Sequence, residues 1–192
     1  MGTSNASLSH PAYPWAVMMV RMGARACVVS QITGLAQLDA RTIWKQIMGE
    51  SSPSGQQPND MLWYTRTPQR RSHAALLVRL YDKACATLPD YAAFAHAYYH
   101  YARMTASPAT SNSWVSRDEP AFRRSEQDYV IPFGRGFFLC QSYTDDTFAG
   151  GRRKCELIIR RCRKCQGQYM SHDSEAAQVC PNCGKDHLAG DG

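Results

Sequence analysis

No apolar run in the 192-residue chain approaches the roughly 20 residues that a membrane-spanning helix needs. The strongest apolar cluster near the start, Trp15 to Val20, is short and has no basic region before it. No secretory signal is therefore expected, and the protein reads as cytoplasmic with no membrane role. Catalytic signatures are also missing. There is no glycine-rich phosphate loop, no nucleophile elbow and no motif of paired carboxylates, so no catalytic residue is nominated and an enzyme is not expected. Internal repeats and coiled-coil heptads are absent. Charged residues make up only 20% of the chain against 44% apolar. That ratio excludes a disordered chain and calls for a packed core.

What is present is basic and rich in cysteine. The 22 Lys and Arg residues outnumber 16 Asp and Glu for a net charge of +6, which permits a nucleic-acid partner without requiring one. Eight cysteines are many for a cytoplasmic chain. Four of them fall in two Cys-x-x-Cys pairs, the pattern of a metal site rather than a disulfide framework.

The chain divides into three parts. Residues 1–14 are polar, carry Pro11 and Pro14, and read as a flexible arm. Residues 15–150 read as a helical domain. A first helix is expected from Trp15 to about Ile32, since Val17, Val20, Met22, Ala24, Cys27, Val28 and Ile32 keep a helical period. Gly34 breaks it, and a second helix runs from Ala36 to Met48 and stops at Gly49. Residues 50–60 are a loop, followed by the short apolar segment Met61–Tyr64. A third helix is expected from Pro68 or Ser72 to Thr87, and a fourth begins at Pro89-Asp90. On the fourth, His96 and His100 stand four apart and offer a two-ligand metal site, with a bland surface pair as the alternative. Residues 105–128 are a polar loop. Tyr129–Tyr143 is apolar but contains Pro132, Gly134 and Gly136, so local pattern leaves it open between helix and strand. Residues 151–192 form a basic segment and a small module of a different kind.

That module carries the strongest chemical signal. Cys162-Arg163-Lys164-Cys165 is followed after 14 residues by Cys180-Pro181-Asn182-Cys183-Gly184. Each Cys-x-x-Cys forms a tight knuckle that presents two thiolates to one side of an ion, and the segment between brings the knuckles together. Pro181 stiffens its turn and Gly184 is free to take a positive φ. The intervening residues are too few and too polar to make a core, so the apparent binding energy of a structural zinc, about 10–16 kcal/mol, stands in for one. One zinc per chain is expected on Cys162, Cys165, Cys180 and Cys183, in a zinc-ribbon-like module with no open coordination position. A redox pair of thiols is the alternative, and His172 or His187 offers a substitute ligand. Cys27, Cys85, Cys140 and Cys155 read as buried core thiols.

Cations cluster around the first knuckle. Arg152, Arg153, Lys154, Arg160, Arg161, Arg163 and Lys164 face a single acid, Glu156, within residues 152–164. Such a run suits phosphate contacts, because each neutralised phosphate releases counterions; a solvated ribbon surface is the alternative. A second DNA-facing candidate lies upstream. Ser30, Gly34, Ala40 and Ile43 have the spacing of a helix–turn–helix, which would leave Arg41 and Lys45 outward on the second helix. The alternative is a helical hairpin that supports a subunit interface.

Taken in order, these pieces resemble the FlhC family. The resemblance rests on Gly23-Ala24-Arg25, Thr33-Gly34-Leu35, Ile43-Trp44-Lys45-Gln46-Ile47 followed by Gly49, Ser52-Pro53, Met61-Leu62-Trp63, His73-Ala74 and the paired Cys-x-x-Cys. It spans about residues 17–104 and 129–184. Residues 105–128 look longer than the family norm and the Gly-Gly-Arg-Arg-Lys stretch before the ribbon looks inserted. The resemblance implies a mainly α protein with a four-cysteine zinc site, and a last core helix placed at Phe133–Tyr143. It also implies an FlhD-like partner in a heteromeric complex that binds double-stranded promoter DNA and recruits RNA polymerase. Similar proteins also occur on mobile elements, so flagellar and conjugative-transfer promoters are both expected targets. Apolar, tyrosine-rich surface on the helical region is expected to be covered by that partner; Tyr98, Tyr99 and Tyr101 are the candidates, unless they surround a core. A stand-alone zinc-ribbon module binding RNA or protein is the other functional reading.

Overall fold

A computed structural model describes residues 9–105, 129–148, 157–172 and 179–185. The described part is mainly helical, with a two-stranded hairpin and a cluster of four cysteines behind the helices. Six α-helices are described: α1 Tyr13–Arg21, α2 Ala26–Thr33, α3 Gln37–Met48, α4 Pro68–Cys85, α5 Asp90–Thr105 and α6 Phe133–Phe148. A 3-10 turn, Met61–Tyr64, precedes α4. Strands β1 (Leu157–Arg161) and β2 (Gln168–His172) pair antiparallel, with Leu157 opposite His172 and Arg161 opposite Gln168.

The expected single helix from Trp15 to Ile32 is two. Gly23, at φ 91°, ends α1, and Arg25 is extended at φ −67° and ψ 150° before α2. The amide of Ala26 donates to Ser52 Oγ across the 50–60 loop at 3.0 Å. Met22 and Ala24 are buried in the linker, so the apolar period continues through a point where the backbone turns. Periodicity therefore hides this break, which only the positive φ of a glycine at the helix end creates. The end of the expected arm is also structured: Ala12 is fully buried and Pro14 lies in the first turn of α1.

The helix–turn–helix-like hairpin forms as its residues direct. Gly34 caps α2 at φ 72°, and Ser30 Oγ donates to the Leu35 carbonyl at 2.8 Å to close the turn. Ala40, Ile43 and Trp44 are buried, and Gly49 stops α3 at φ 79°. Thr67 caps α4 by accepting from the Arg70 amide, with Pro68 in the first turn.

Helix α4 is the hub, packing on α5, α6 and β2. Alanines at 92, 93, 95, 97 and 102 let α5 sink into the core. Its larger residues build an aromatic centre, with Phe94 edge-on to Phe133 at 5.1 Å and Tyr98 against Phe133 at 4.7 Å. Tyr98 and Tyr101 are fully buried, so they surround the core and are not partner surface; Tyr99 is half-buried. Their hydroxyls satisfy both backbone groups of the buried Ile131. Tyr98 donates to the Ile131 carbonyl at 3.0 Å, and Tyr101 accepts from the Ile131 amide at 3.1 Å. A buried backbone group without such partners would be destabilising.

The ambiguous segment after Tyr129 is helix from Phe133 onward, started by Pro132, whose carbonyl accepts from Gly136. Gly136 is there for contact. A Cβ at this position would lie 2.8 Å from Leu77 Cδ2 and 3.4 Å from the Tyr98 ring, and both neighbours are fully buried. Gly136→Val is therefore expected to lower stability by about 2–3 kcal/mol through overpacking, outweighing any gain in helix propensity. A shifted urea midpoint at constant slope would show it.

His73 gives the core a pH dependence. Its Nδ1 lies 2.9 Å from the Tyr101 hydroxyl, which also accepts from the Ile131 amide. Burial lowers the His73 pKa below its ordinary value. The unfolded chain then binds this proton more readily, so the contribution is present above about pH 6.5 and lost as pH falls toward the folded pKa. His73→Gln is expected to flatten the fall in stability between neutral pH and about pH 5, measured by denaturant titration at each pH.

Candidate metal centre and basic surface

The two knuckles have the same backbone plan. In the first, the Gln166 amide donates to the Cys162 carbonyl at 3.0 Å and the Cys162 amide to the Gly167 carbonyl at 2.9 Å. In the second, Gly184 donates to Cys180 at 2.9 Å and Cys180 to Lys185 at 3.0 Å. The residue after each second cysteine is left-handed: Gln166 at φ 61° and Gly184 at φ 68°. The positive φ expected of Gly184 is thus present, and Gln166 adopts it without being glycine. Gly167 is where the knuckles touch, since a Cβ there would collide with the Asn182 side chain.

The four sulfurs lie within 4.8 Å of one another. Cys162 Sγ is 3.7 Å from Cys183 Sγ, and Cys165 Sγ is 3.7 Å from Cys180 Sγ. A tetrahedral four-thiolate ion with metal–sulfur bonds of about 2.3 Å has edges of about 3.8 Å, so the donor set fits. Amides aim at the sulfurs as well. Lys164 and Cys165 each donate to Cys162 Sγ at 3.3 Å, and Asn182 donates to Cys180 Sγ at 3.3 Å. Burial opposes ionisation of Cys162, but the Cys165 and Lys164 amides outweigh it and draw the thiol down to about 6. Burial and the neighbouring thiols push Cys180 up to about 12. The cluster can hold a metal ion.

His172 ends β2 outside the four-sulfur cluster, and His187 lies outside the described residues. On α5, His96 and His100 bring their Nε2 atoms to 3.2 Å, but no third metal-binding side chain joins them among the described residues. Of the cysteines expected in the core, Cys140 is buried, Cys27 is half-buried and Cys85 is exposed; Cys155 lies outside the described residues.

The hairpin is docked on the helices. Arg71 Nε donates to the Met170 carbonyl at 3.0 Å, and its guanidinium lies 5.1 Å from the Tyr169 ring centre. Ser72 Oγ donates to Asn182 Oδ1 at 2.7 Å, and Asn182 Nδ2 donates to the Gln168 carbonyl at 3.3 Å. Leu157 and Met170 are part of the helical core itself. Sequence reasoning did not single out Arg71, Ser72 or Asn182. Their partners are about a hundred residues away, and no local pattern marks them.

The basic candidates separate by exposure. Arg161, Arg163 and Lys164 are exposed on the end of β1 and the first knuckle. Arg160 is half-buried opposite Tyr169, whose hydroxyl feels its charge. Arg152, Arg153 and Lys154 lie outside the described residues. On α3, Arg41 and Lys45 are exposed and line an open cleft of about 720 Å³ with Thr42, Gln46, Ser51 and Ser52. The structure does not bring this cleft into one site with the cysteines.

No described helix is long and apolar enough to cross a membrane. No curated protein matches the chain. Residues 10–117 match the model of the flagellar transcriptional activator family, FlhC, a segment that runs from the turn before α1 past the end of α5. The cysteine cluster lies beyond that segment, so its role rests on its own geometry. With more than half its length matched, the chain belongs to the FlhC family of transcriptional activators.

Proposed function

We propose that this protein is the DNA-binding subunit of a transcriptional activator that assembles with an FlhD-like partner and recruits RNA polymerase to flagellar or conjugative-transfer promoters in the cytoplasm. One observation carries the reading: the family match covers the whole helix–turn–helix-like hairpin and the two helices that support it. In this reading Cys162, Cys165, Cys180 and Cys183 hold one structural zinc. Four sulfur donors leave no position for substrate, so the ion shapes the hairpin and performs no chemistry. The family is one of transcription factors, not enzymes.

Two surfaces serve DNA in this proposal. Arg161, Arg163 and Lys164, with Arg152, Arg153 and Lys154 before them, lie along phosphates. Arg160, half-buried, helps to shape that strand. Arg41 and Lys45 on α3 face the groove. With Tyr98 and Tyr101 inside the core, the partner is left other apolar surface, such as Leu38, which is 71% exposed on α3.

Co-expression with an FlhD-like protein tests the assembly, and footprinting of the purified complex tests DNA recognition. A stoichiometric complex that protects a promoter segment supports the reading. A stable chain that ignores the partner and instead binds RNA would favour a stand-alone zinc-ribbon module.

A further inference from the structure

Eight of the sixteen residues of α5 are buried, so its backbone is anchored in the core. The side its second half leaves to solvent carries His96 and Tyr99, both half-buried, and His100 and Arg103, both exposed. His96 and His100 are one turn apart, and residues at that spacing are neighbours on a helix face. Their ring centres lie 4.5 Å apart and their Nε2 atoms come to 3.2 Å. Tyr99 meets the His100 ring edge-on at 5.5 Å, and the Tyr99 hydroxyl accepts from Arg103 Nη1 at 3.2 Å. The histidine pair is thus held by a fixed backbone beneath it and by a tyrosine beside it that is itself tied down. Such support lowers the side-chain freedom lost when the two rings act together on a ligand.

We propose that His96 and His100 are the two protein ligands of a surface site for a late first-row divalent ion such as copper, nickel or zinc. The ion class follows from the donors. Imidazole nitrogens suit these metals, whereas magnesium and calcium need oxygen ligands. Metal–nitrogen bonds of about 2.0–2.1 Å to two nitrogens 3.2 Å apart subtend about 100–106° at the ion. That lies between the right angle of square-planar and octahedral sites and the tetrahedral angle, so the two nitrogens need not separate to share an ion. Without metal, the contact is a hydrogen bond only if one ring carries a proton on Nε2 and the other does not. An ion uses the Nε2 lone pairs of both, with each ring's proton on Nδ1. Two ligands leave positions open to water, which distinguishes this site in kind from the four-sulfur cluster. An ion here exchanges with solvent, and the fold does not depend on it. The inference is independent of the DNA-binding reading.

The test dialyses the full chain against nickel(II) and measures bound nickel by elemental analysis. The wild type is expected to hold one nickel per chain more than either His96→Asn or His100→Asn. Each single change should weaken binding at this site by more than the about 10–100-fold that loss of an outer-shell partner costs. The double variant should lose little further, because one imidazole alone no longer clamps the ion. Nickel should also raise the urea midpoint of the wild type at constant slope, since an ion on both histidines favours the folded helix, and should not do so in the variants. His100 is exposed, so His100→Asn keeps the test open if His96→Asn disturbs the fold. Equal nickel in the wild type and all three variants, or none in any, overturns the inference. Losses in the two single variants that simply add in the double variant also overturn it, because each histidine would then act alone.

Discussion

Cys165→Ser is expected to release the metal and unfold the C-terminal hairpin. Cys165 is the exposed member of the four, whereas Cys162 and Cys180 are fully buried, so serine at 165 tests ligation with the least change in packing. Zinc on such a set supplies an apparent 10–16 kcal/mol, about the whole stability of an ordinary domain. The loss should travel beyond the knuckles. Leu157 and Met170 belong to the helical core, and Arg71 is held by the Met170 carbonyl. Without the hairpin, that face of α4 loses its cover. Elemental analysis should show no zinc, and hydrogen exchange should show lost protection in β1, β2 and the facing turns of α4. Cys85→Ser, at an exposed cysteine outside the cluster, is the control and should keep the full metal content. A Cys165→Ser protein still loaded with zinc would refute the ligand set.

Removing Arg161 and Arg163 together should weaken DNA binding without regard to sequence. Both are exposed beside the cysteine cluster, whereas Arg160 is half-buried against Tyr169 and its removal would mix folding with binding. Phosphate contacts supply affinity but do not read bases. Arg161→Ala with Arg163→Ala should therefore lower affinity for target and random duplex by the same factor, and reduce the salt slope by about 1.8. Arg41→Ala on α3 should act differently. If α3 reads bases, its loss weakens the target site by about 1–3 kcal/mol and random DNA little. Arg41→Ala that spares both affinities but blocks assembly would make the α2–α3 hairpin an interface element. An unchanged salt slope in the double variant would make the first knuckle's cations a solvated surface only.

The features legible before any coordinates are those decided within a few residues. Gly34 and Gly49 mark the ends of α2 and α3 because a left-handed residue stops a helix wherever it stands. The paired Cys-x-x-Cys spacing names its four sulfurs because a knuckle is closed by its own backbone. The break at Gly23, the helix at Phe133–Phe148, the burial of Tyr98 and Tyr101 and the docking of the hairpin were decided by tertiary structure. At Gly23 the apolar period runs on through the turn. At Gly136 a residue that argues against helix is required because Leu77 and Tyr98 leave no room for a side chain. Tyr98 and Tyr101, open between partner surface and core in the sequence, are internal, and each hydroxyl finds a backbone group of Ile131, about thirty residues further on. The four-cysteine hairpin docks on the helices because Arg71 and Ser72 reach partners 99 and 110 residues away. Local chemistry is written in spacing; a contact across such distances has no spacing to be read, and only the packed chain brings its two halves together.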